Sequence, residues 1–293
     1  MPTLRDIRAR IAGVRSTAKI TSAMKMVAAA KMKRAQNAIE SARPYVLKLE
    51  EILGNLLSSV SEDYTHPLMR KPEAVNNIAL VVIGSDRGLC GSFNTNLFRS
   101  AIAYINNDLK AAHPNANVQL ITVGRKACSF FKKEKYPIHA EYPGVFHQLE
   151  FSQAKRIVDS VKDEFVHGQF DQVILYFNAF VNILRQIPTG INLLPLVAKP
   201  DAGKFKANYI FEPSQKEILD ALLPKFTDIQ LWRTLLESNA AEQAAKMMAM
   251  DNATTNANDL IKHLEMAYNN ARQAAITKEM LEIVSGAESL RSA

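Results

Sequence analysis

The stretch with the most chemical potential is Asp86-Arg87-Gly88-Leu89-Cys90-Gly91-Ser92-Phe93-Asn94. It follows an apolar run, Ile78 to Ile83, and precedes a helical pattern. A phosphate-binding loop occupies such a position, at a strand end and a helix N-terminus. Yet neither G-x-G-x-x-G nor G-x-x-x-x-G-K-[ST] is present. The lysine that would reach a phosphate and the third glycine are both missing, so the spacing reads as a tight turn. Cys90 is a candidate nucleophile, with His66, His113, His139, His147, His167 or His263 as its base. These histidines are scattered, without H-E-x-x-H or C-x-x-C spacing, which favours a small buried hydrophobe at Cys90 over a thiolate. Glu62 and Asp63 are adjacent carboxylates, but a polar linker surrounds them and solvent is the expected environment. No catalytic, cofactor-binding or metal-ligating residue is assigned, and no cofactor is expected.

The elements around this loop alternate. Ile78 to Ile83, Val118 to Val123 and Val173 to Phe177 read as buried strands. Asn94 to about Ala112, Arg125 to Lys135 and Phe151 to Val166 read as helices between them. Ile191 to Val197 reads as a last strand, placed at an edge by Pro195. This pattern predicts a Rossmann-like α/β domain over 75–200 with a mostly parallel sheet and right-handed crossovers.

Both ends are helical. Leu4, Ile7, Ile11 and Val14 form one stripe. The stripe then shifts to Ile20, Met24 and Val27, followed by Ala28, Met32, Ala35 and Ile39. Thr3 and Asp6 resemble a capping box. Pro44 predicts a kink or break near Arg43, and Thr65-His66-Pro67 with Lys71-Pro72 reads as a linker. At the other end, Pro213 fits a first helical turn and Pro224 marks a second kink or break point. Beyond them, Met250, Ala253, Ala257, Leu260, Leu264, Ala267, Ala271 and Ala274 keep a 3-4 alternation, the seam of a coiled coil. A continuous helix from Ile229 to Ser285 would span roughly 85 Å, more than one globular domain needs. The terminal segments, 1–60 and 208–293, are therefore expected to pair as a long antiparallel coiled coil with a thin, Ala-rich seam. The competing arrangement is an ordinary bundle packed on the sheet.

Composition supports a folded chain. The 293 residues are 47% hydrophobic, with two cysteines and a net charge of +7. No apolar run reaches transmembrane length, and the N-terminus has no signal-like segment. Its Arg-rich start resembles a transit peptide only in part, since the pattern continues too far. Two cysteines fit a reducing compartment. Residues 1–43 carry Arg5, Arg8, Arg10, Arg15, Lys19, Lys25, Lys31, Lys33, Arg34 and Arg43 against Asp6 and Glu40. Such a stripe suits nucleic acid, anionic lipid or an acidic protein collar, or is simply a solvated face. The absence of interleaved aromatics argues against nucleic acid.

Three stretches together resemble the gamma subunit of F-type ATP synthases. They are IRARIAGVRSTAKITSAMKMVAAAKMKRAQ, the loop SDRGLCGSFNTNL, and Ile276 to Ser289, which is similar to I-T-x-E-x-x-E-x-x-x-G-A-x-S. Met247 to Ala257 also matches, and the resemblance covers the whole chain. It implies a central-stalk rotor without an active site of its own, one copy per complex. Its terminal helices would form a left-handed coiled coil inside a ring of alpha and beta subunits. Its other partners would be the epsilon subunit and the membrane c-ring, on the cytoplasmic face of a bacterial inner membrane. The resemblance further implies that Met24, Lys25, Lys246, Gln273 and Thr277 meet the beta subunits. Lys246 stands where many members of the family have Arg, which puts a bidentate contact in doubt. Tyr209 and Glu212 would face the c-ring and epsilon. Two other readings of the residues stand beside this one: a nucleotide-binding α/β enzyme with a helical dimerisation arm, and a basic coiled-coil scaffold.

Overall fold

The computed structural model describes residues 3–59, 64–197, 212 and 214–291. Glu62, Asp63, Tyr209 and Pro213 lie outside the described residues. The chain divides into two compact units, one of residues 1–28 with 247–293 and one of 29–246. Two long helices, α1 (Leu4–Ser59) and α6 (Gln215–Arg291), contribute to both.

The larger unit is built on a five-stranded sheet of order β3-β2-β1-β4-β5. β1 (Asn77–Ile83) pairs in parallel with β2 (Asn117–Val123) and with β4 (Gln172–Phe180), and β2 with β3 (Ile138–Tyr142). Ile78 to Ile83 are all at most 1% exposed, which explains an unbroken apolar run in place of alternation. One face is covered by α2 (Phe93–Ala103) and α4 (Arg125–Lys133), through Leu97, Phe98, Ala127 and Phe131. The other is covered by α5 (Phe151–Val166), the second half of α1 and the first part of α6. The helix expected over 94–112 contains a π-helical segment, Tyr104–Leu109, before its last turn α3 (Lys110–Ala112). There Tyr104 stacks on Tyr176 at 5.1 Å.

The sheet differs from expectation in two strands. The last, β5, spans Gln186–Leu194, ends before Pro195, and pairs antiparallel with β4 at the sheet edge. Asn182 makes the reversal by accepting N–H bonds from Leu184 and Arg185 at 2.9 and 2.8 Å. Short, half-buried β3 has no apolar run and was not anticipated from the sequence. The segment read as a linker holds a 3-10 turn, Pro67–Met69, whose Leu68 is 4% exposed.

Neither proline breaks its helix: α1 runs through Pro44 and α6 through Pro224. A proline inside a helix costs about 3 kcal/mol, and packing outweighs it here. Val46, Leu49, Leu53 and Leu56 follow Pro44 into the core, and Leu219 and Leu223 precede Pro224. The carbonyls that lose their N–H partners belong to Glu40 and Asp220, both exposed, so water can reach them. Both helices begin with reciprocal caps. Thr3 Oγ1 accepts from Asp6 N–H, and Asp6 Oδ2 accepts from Thr3 N–H. Ser214 and Glu217 are bonded side chain to side chain, and Ser214 Oγ also accepts from Glu217 N–H.

In the smaller unit the two helices run antiparallel. Arg8 meets Tyr268, Arg15 meets Glu265, Thr21 meets Thr254 and Lys25 meets Asp251, so the chain number falls on α6 as it rises on α1. The α1 stripe does not shift after Val14. It continues through Ala18, Thr21, Lys25 and Ala28, while Ile20 and Val27 are 57% and 56% exposed. The α6 seam departs from expectation by one residue at three positions, while Met250, Ala253, Ala257, Leu264 and Ala271 lie in it as expected. Buried or half-buried residues are Met250, Asp251, Ala253, Thr254, Ala257, Ile261, Leu264, Tyr268, Ala271 and Ala275. Leu260, Ala267 and Ala274 face solvent instead. Hydrogen-bonding Thr254 and Tyr268 belong to the seam, which a count of apolar residues alone passes over.

Candidate functional site

The crevice where an α/β sheet binds ligands lies at the C-terminal ends of β1 and β4, where the strand order reverses. Here the chain's own last helix fills it. Ala241 and Ala245 pack on Cys90, Phe93 and Phe180, and Ser238 Oγ reaches the Ile83 carbonyl at 3.5 Å. Asn178 donates to the Phe93 carbonyl.

The loop after β1 is held closed by its own side chains. Asp86 Oδ1 accepts from the N–H groups of Arg125 and Gly144 at 2.9 and 2.8 Å, and Oδ2 from Phe146 at 2.7 Å. The carboxylate thus occupies the anion position at the N-terminus of α4, whose own cap, Gly124, has no side chain. Gly124 sits at φ +92°, and a Cβ there would lie 2.5 Å from the Gly84 carbonyl oxygen. Asn94 accepts from Ser85 N–H and donates to Ser85 Oγ and Cys90 Sγ. Cys90 is 2% exposed, and burial, with Glu242 nearby, pushes its thiol up. It is a packing residue, not an activated nucleophile. Among the described residues no cluster of His, Cys, Asp and Glu could hold a metal.

Buried charge is paired inside the chain. Glu242, 4% exposed, accepts from Lys246 at 2.8 Å. Burial raises its carboxyl pKa, and Lys246 opposes that rise. Lys162 bridges Asp159 and Asp228 at 2.8 and 2.7 Å. His139 reaches Glu164 at 3.0 Å.

The residues expected to meet partners fall into three groups. Gln273 and Thr277 are exposed, one helical turn apart, and Thr277 Oγ1 donates to the Gln273 carbonyl. Met24 is half-buried beside the seam, and Glu212 is exposed. Lys25 and Lys246 are engaged within the chain, by Asp251 at 2.6 Å and by Glu242. From Ile276 to Ala287 every side chain is exposed, including Ile276, Met280, Leu281, Ile283 and Val284. An apolar stretch of helix this open marks a surface that a partner covers. The clamp at Asp86 and the seam partners Asp251, Thr254, Glu265 and Tyr268 were not foreseen. The heptad position of Thr254 was the one signal in the sequence that could have found its pairing.

A coiled pair of helices, a ligand crevice plugged by the chain itself and an uncovered apolar helix end define a structural subunit of a larger machine, not a catalyst. The family model described as ATP synthase matches residues 3–290. The chain is 47% identical over 291 residues to the ATP synthase gamma chain of Chlorobium phaeobacteroides, covering 99% of this chain and all of the relative. It is 47% identical over 292 residues to that of Chlorobaculum tepidum, with 99% and 100% covered. Among solved structures, the central stalk and c-ring of Tetrahymena thermophila mitochondrial ATP synthase matches with a TM-score of 0.57 and 25% identity, over 80% of this chain and 99% of that one. Euglena gracilis mitochondrial ATP synthase matches with a TM-score of 0.68 and 20% identity, over 99% and 95%. The chain belongs to the ATP synthase gamma-chain family. It is a central-stalk, non-catalytic subunit of the complex. No described helix is long and apolar enough to cross a membrane.

Proposed function

We propose that this subunit is the turning shaft of its complex, present once, carrying torque from the membrane c-ring to the catalytic ring of alpha and beta subunits. The observation that carries this reading is the bare apolar end of α6, Ile276 to Val284, beyond a seam held by paired residues. A ring of subunits supplies the cover that such a surface lacks. Met24, Gln273 and Thr277 have the exposure needed to touch beta subunits, and Lys25 and Lys246 would contribute there by holding the helix faces in place. Tyr209 and Glu212 are assigned to the c-ring and epsilon. The working position is the cytoplasmic face of a bacterial inner membrane, with no nucleic acid involved. Each catalytic site would then change affinity with shaft angle, which is coupling between states.

The test is assembly followed by coupling. The chain should co-purify in stoichiometric complex with alpha and beta subunits. Met24→Lys, which sets a second cation beside Lys25, should lower ATP synthesis per ion translocated while assembly persists. Wild-type efficiency in that variant would remove Met24 from the contact. ATP turnover or tight nucleotide binding by the isolated chain would favour a nucleotide-binding enzyme, a reading that the filled crevice opposes.

A further inference from the structure

We propose that Lys25–Asp251 and Thr21–Thr254 are positioning residues that fix the register of the helical pair, and that Lys25 serves the shaft internally instead of meeting a partner. This rests on the shaft reading. Next to them the seam is mostly small, Ala18 and Ala28 on α1 and Ala253 and Ala257 on α6, with Val14, Met250 and Ile261 the larger side chains. Small knobs leave shallow holes, so these alanine positions by themselves resist sliding only weakly. Polar layers supply the discrimination that alanine cannot. The two hydroxyls of Thr21 and Thr254 lie 2.7 Å apart, and Lys25 Nζ lies 2.6 Å from Asp251 Oδ1, one turn further along the same stripe.

A slide of seven residues is penalised in both directions. Thr254 would face Val14 or Ala28, losing its hydroxyl partner. Arg15, now 3.0 Å from Glu265, would face Arg272 in one direction and Asn258 in the other. Lys25 would lose its carboxylate. The Lys25 and Asp251 side chains are 42% and 45% exposed, so their pair adds little to stability. Its contribution is a difference between registers, which is how a polar residue in a coiled-coil seam acts. A shaft under torque experiences a force that tends to slide its two helices, and register is then the quantity to be defended.

The experiment uses the assembled, membrane-bound complex and two readouts. The first is disulfide trapping: Ala18→Cys with Ala257→Cys reports the observed register, and Ile11→Cys with Ala257→Cys reports the slipped one. The second is ion pumping per ATP hydrolysed. Both native cysteines are buried, so background crosslinking is low. With Asp251→Lys, the first crosslink should weaken, the second should appear, and pumping per ATP should fall. Lys25→Asp combined with Asp251→Lys should restore all three. An unchanged crosslink pattern in Asp251→Lys overturns the register role, whatever the pumping does. Restored register with pumping still low in the double variant means that a partner needs the cation at position 25, and overturns the internal assignment. A shifted register with unchanged pumping supports the register role and counts against the shaft reading itself.

Discussion

Removing the Asp86 carboxylate should loosen three strand ends at once. It accepts three backbone N–H groups, from Arg125, Gly144 and Phe146, at 2.7 to 2.9 Å. A hydrogen bond to a charged group nets about 1.5–3 kcal/mol. Three such bonds set an upper figure, and Asp86 is only half-buried, so water can replace part of each. We expect Asp86→Ala to cost about 3–5 kcal/mol and Asp86→Asn about 2–3 kcal/mol. The amide keeps one acceptor oxygen but turns an N–H group toward donors. The only tryptophan, Trp232, packs edge-on against Phe151 within the same unit. Its fluorescence during urea denaturation therefore reports on this unit. Amide exchange at residues 125, 144 and 146 supplies the local reading. Ala and Asn variants that both shift stability by less than about 1 kcal/mol, with the three amides still protected, would refute the clamp.

Three further outcomes are expected. Lys246→Met strands the buried Glu242 carboxylate and should cost about 3 kcal/mol near neutral pH, while Glu242→Leu together with Lys246→Met should recover most of it. Burial already raises the Glu242 pKa, so the native state keeps that proton to higher pH than the unfolded chain. Stability contributed by the site is therefore full below the ordinary carboxylate range and is lost as pH rises through the raised value. Removing Lys246 should steepen this loss, as denaturation at pH 5 and pH 7 would record. Gly124→Ala forces a Cβ to 2.5 Å from the Gly84 carbonyl oxygen at positive φ. It should lower stability by at least about 2 kcal/mol, read as a drop in Tm. Burial, the largest influence on both Cys90 and Cys128, raises both thiols, so alkylation at pH 8 should be slow in the folded chain and fast in urea.

Much of this architecture is written in local patterns. The runs Ile78–Ile83 and Val118–Val123 are strands because nearly every side chain is buried, and the bounds of α5 follow its apolar period. What escaped depends on partners distant in the chain. β3 has no apolar run because only alternate side chains reach the core, and β5 turns back antiparallel through an Asn182 turn that apolar content does not announce. The prolines do not end their helices because the packing of Leu49, Leu53 and Leu223 outweighs them. The seam was misread by one residue at Leu260, Ala267 and Ala274, which are apolar yet exposed, as are Ile20 and Val27, while the polar ring of Tyr268 takes a seam position. The Asp86 clamp joins residues 39 to 60 positions apart, beyond the reach of any spacing rule. Gln273 and Thr277 are legible only through family resemblance, since nothing in their own geometry separates them from other exposed polar residues.

The plugged crevice has one further consequence. A ligand that is part of the same chain cannot be diluted, and its effective concentration is set by a tether instead of by the surroundings. At this crevice the α/β unit therefore has no empty form for a second molecule to fill. The place that a bound molecule would take at the strand crossover is thereby part of the folded chain, so filling it is a step of folding and not of binding.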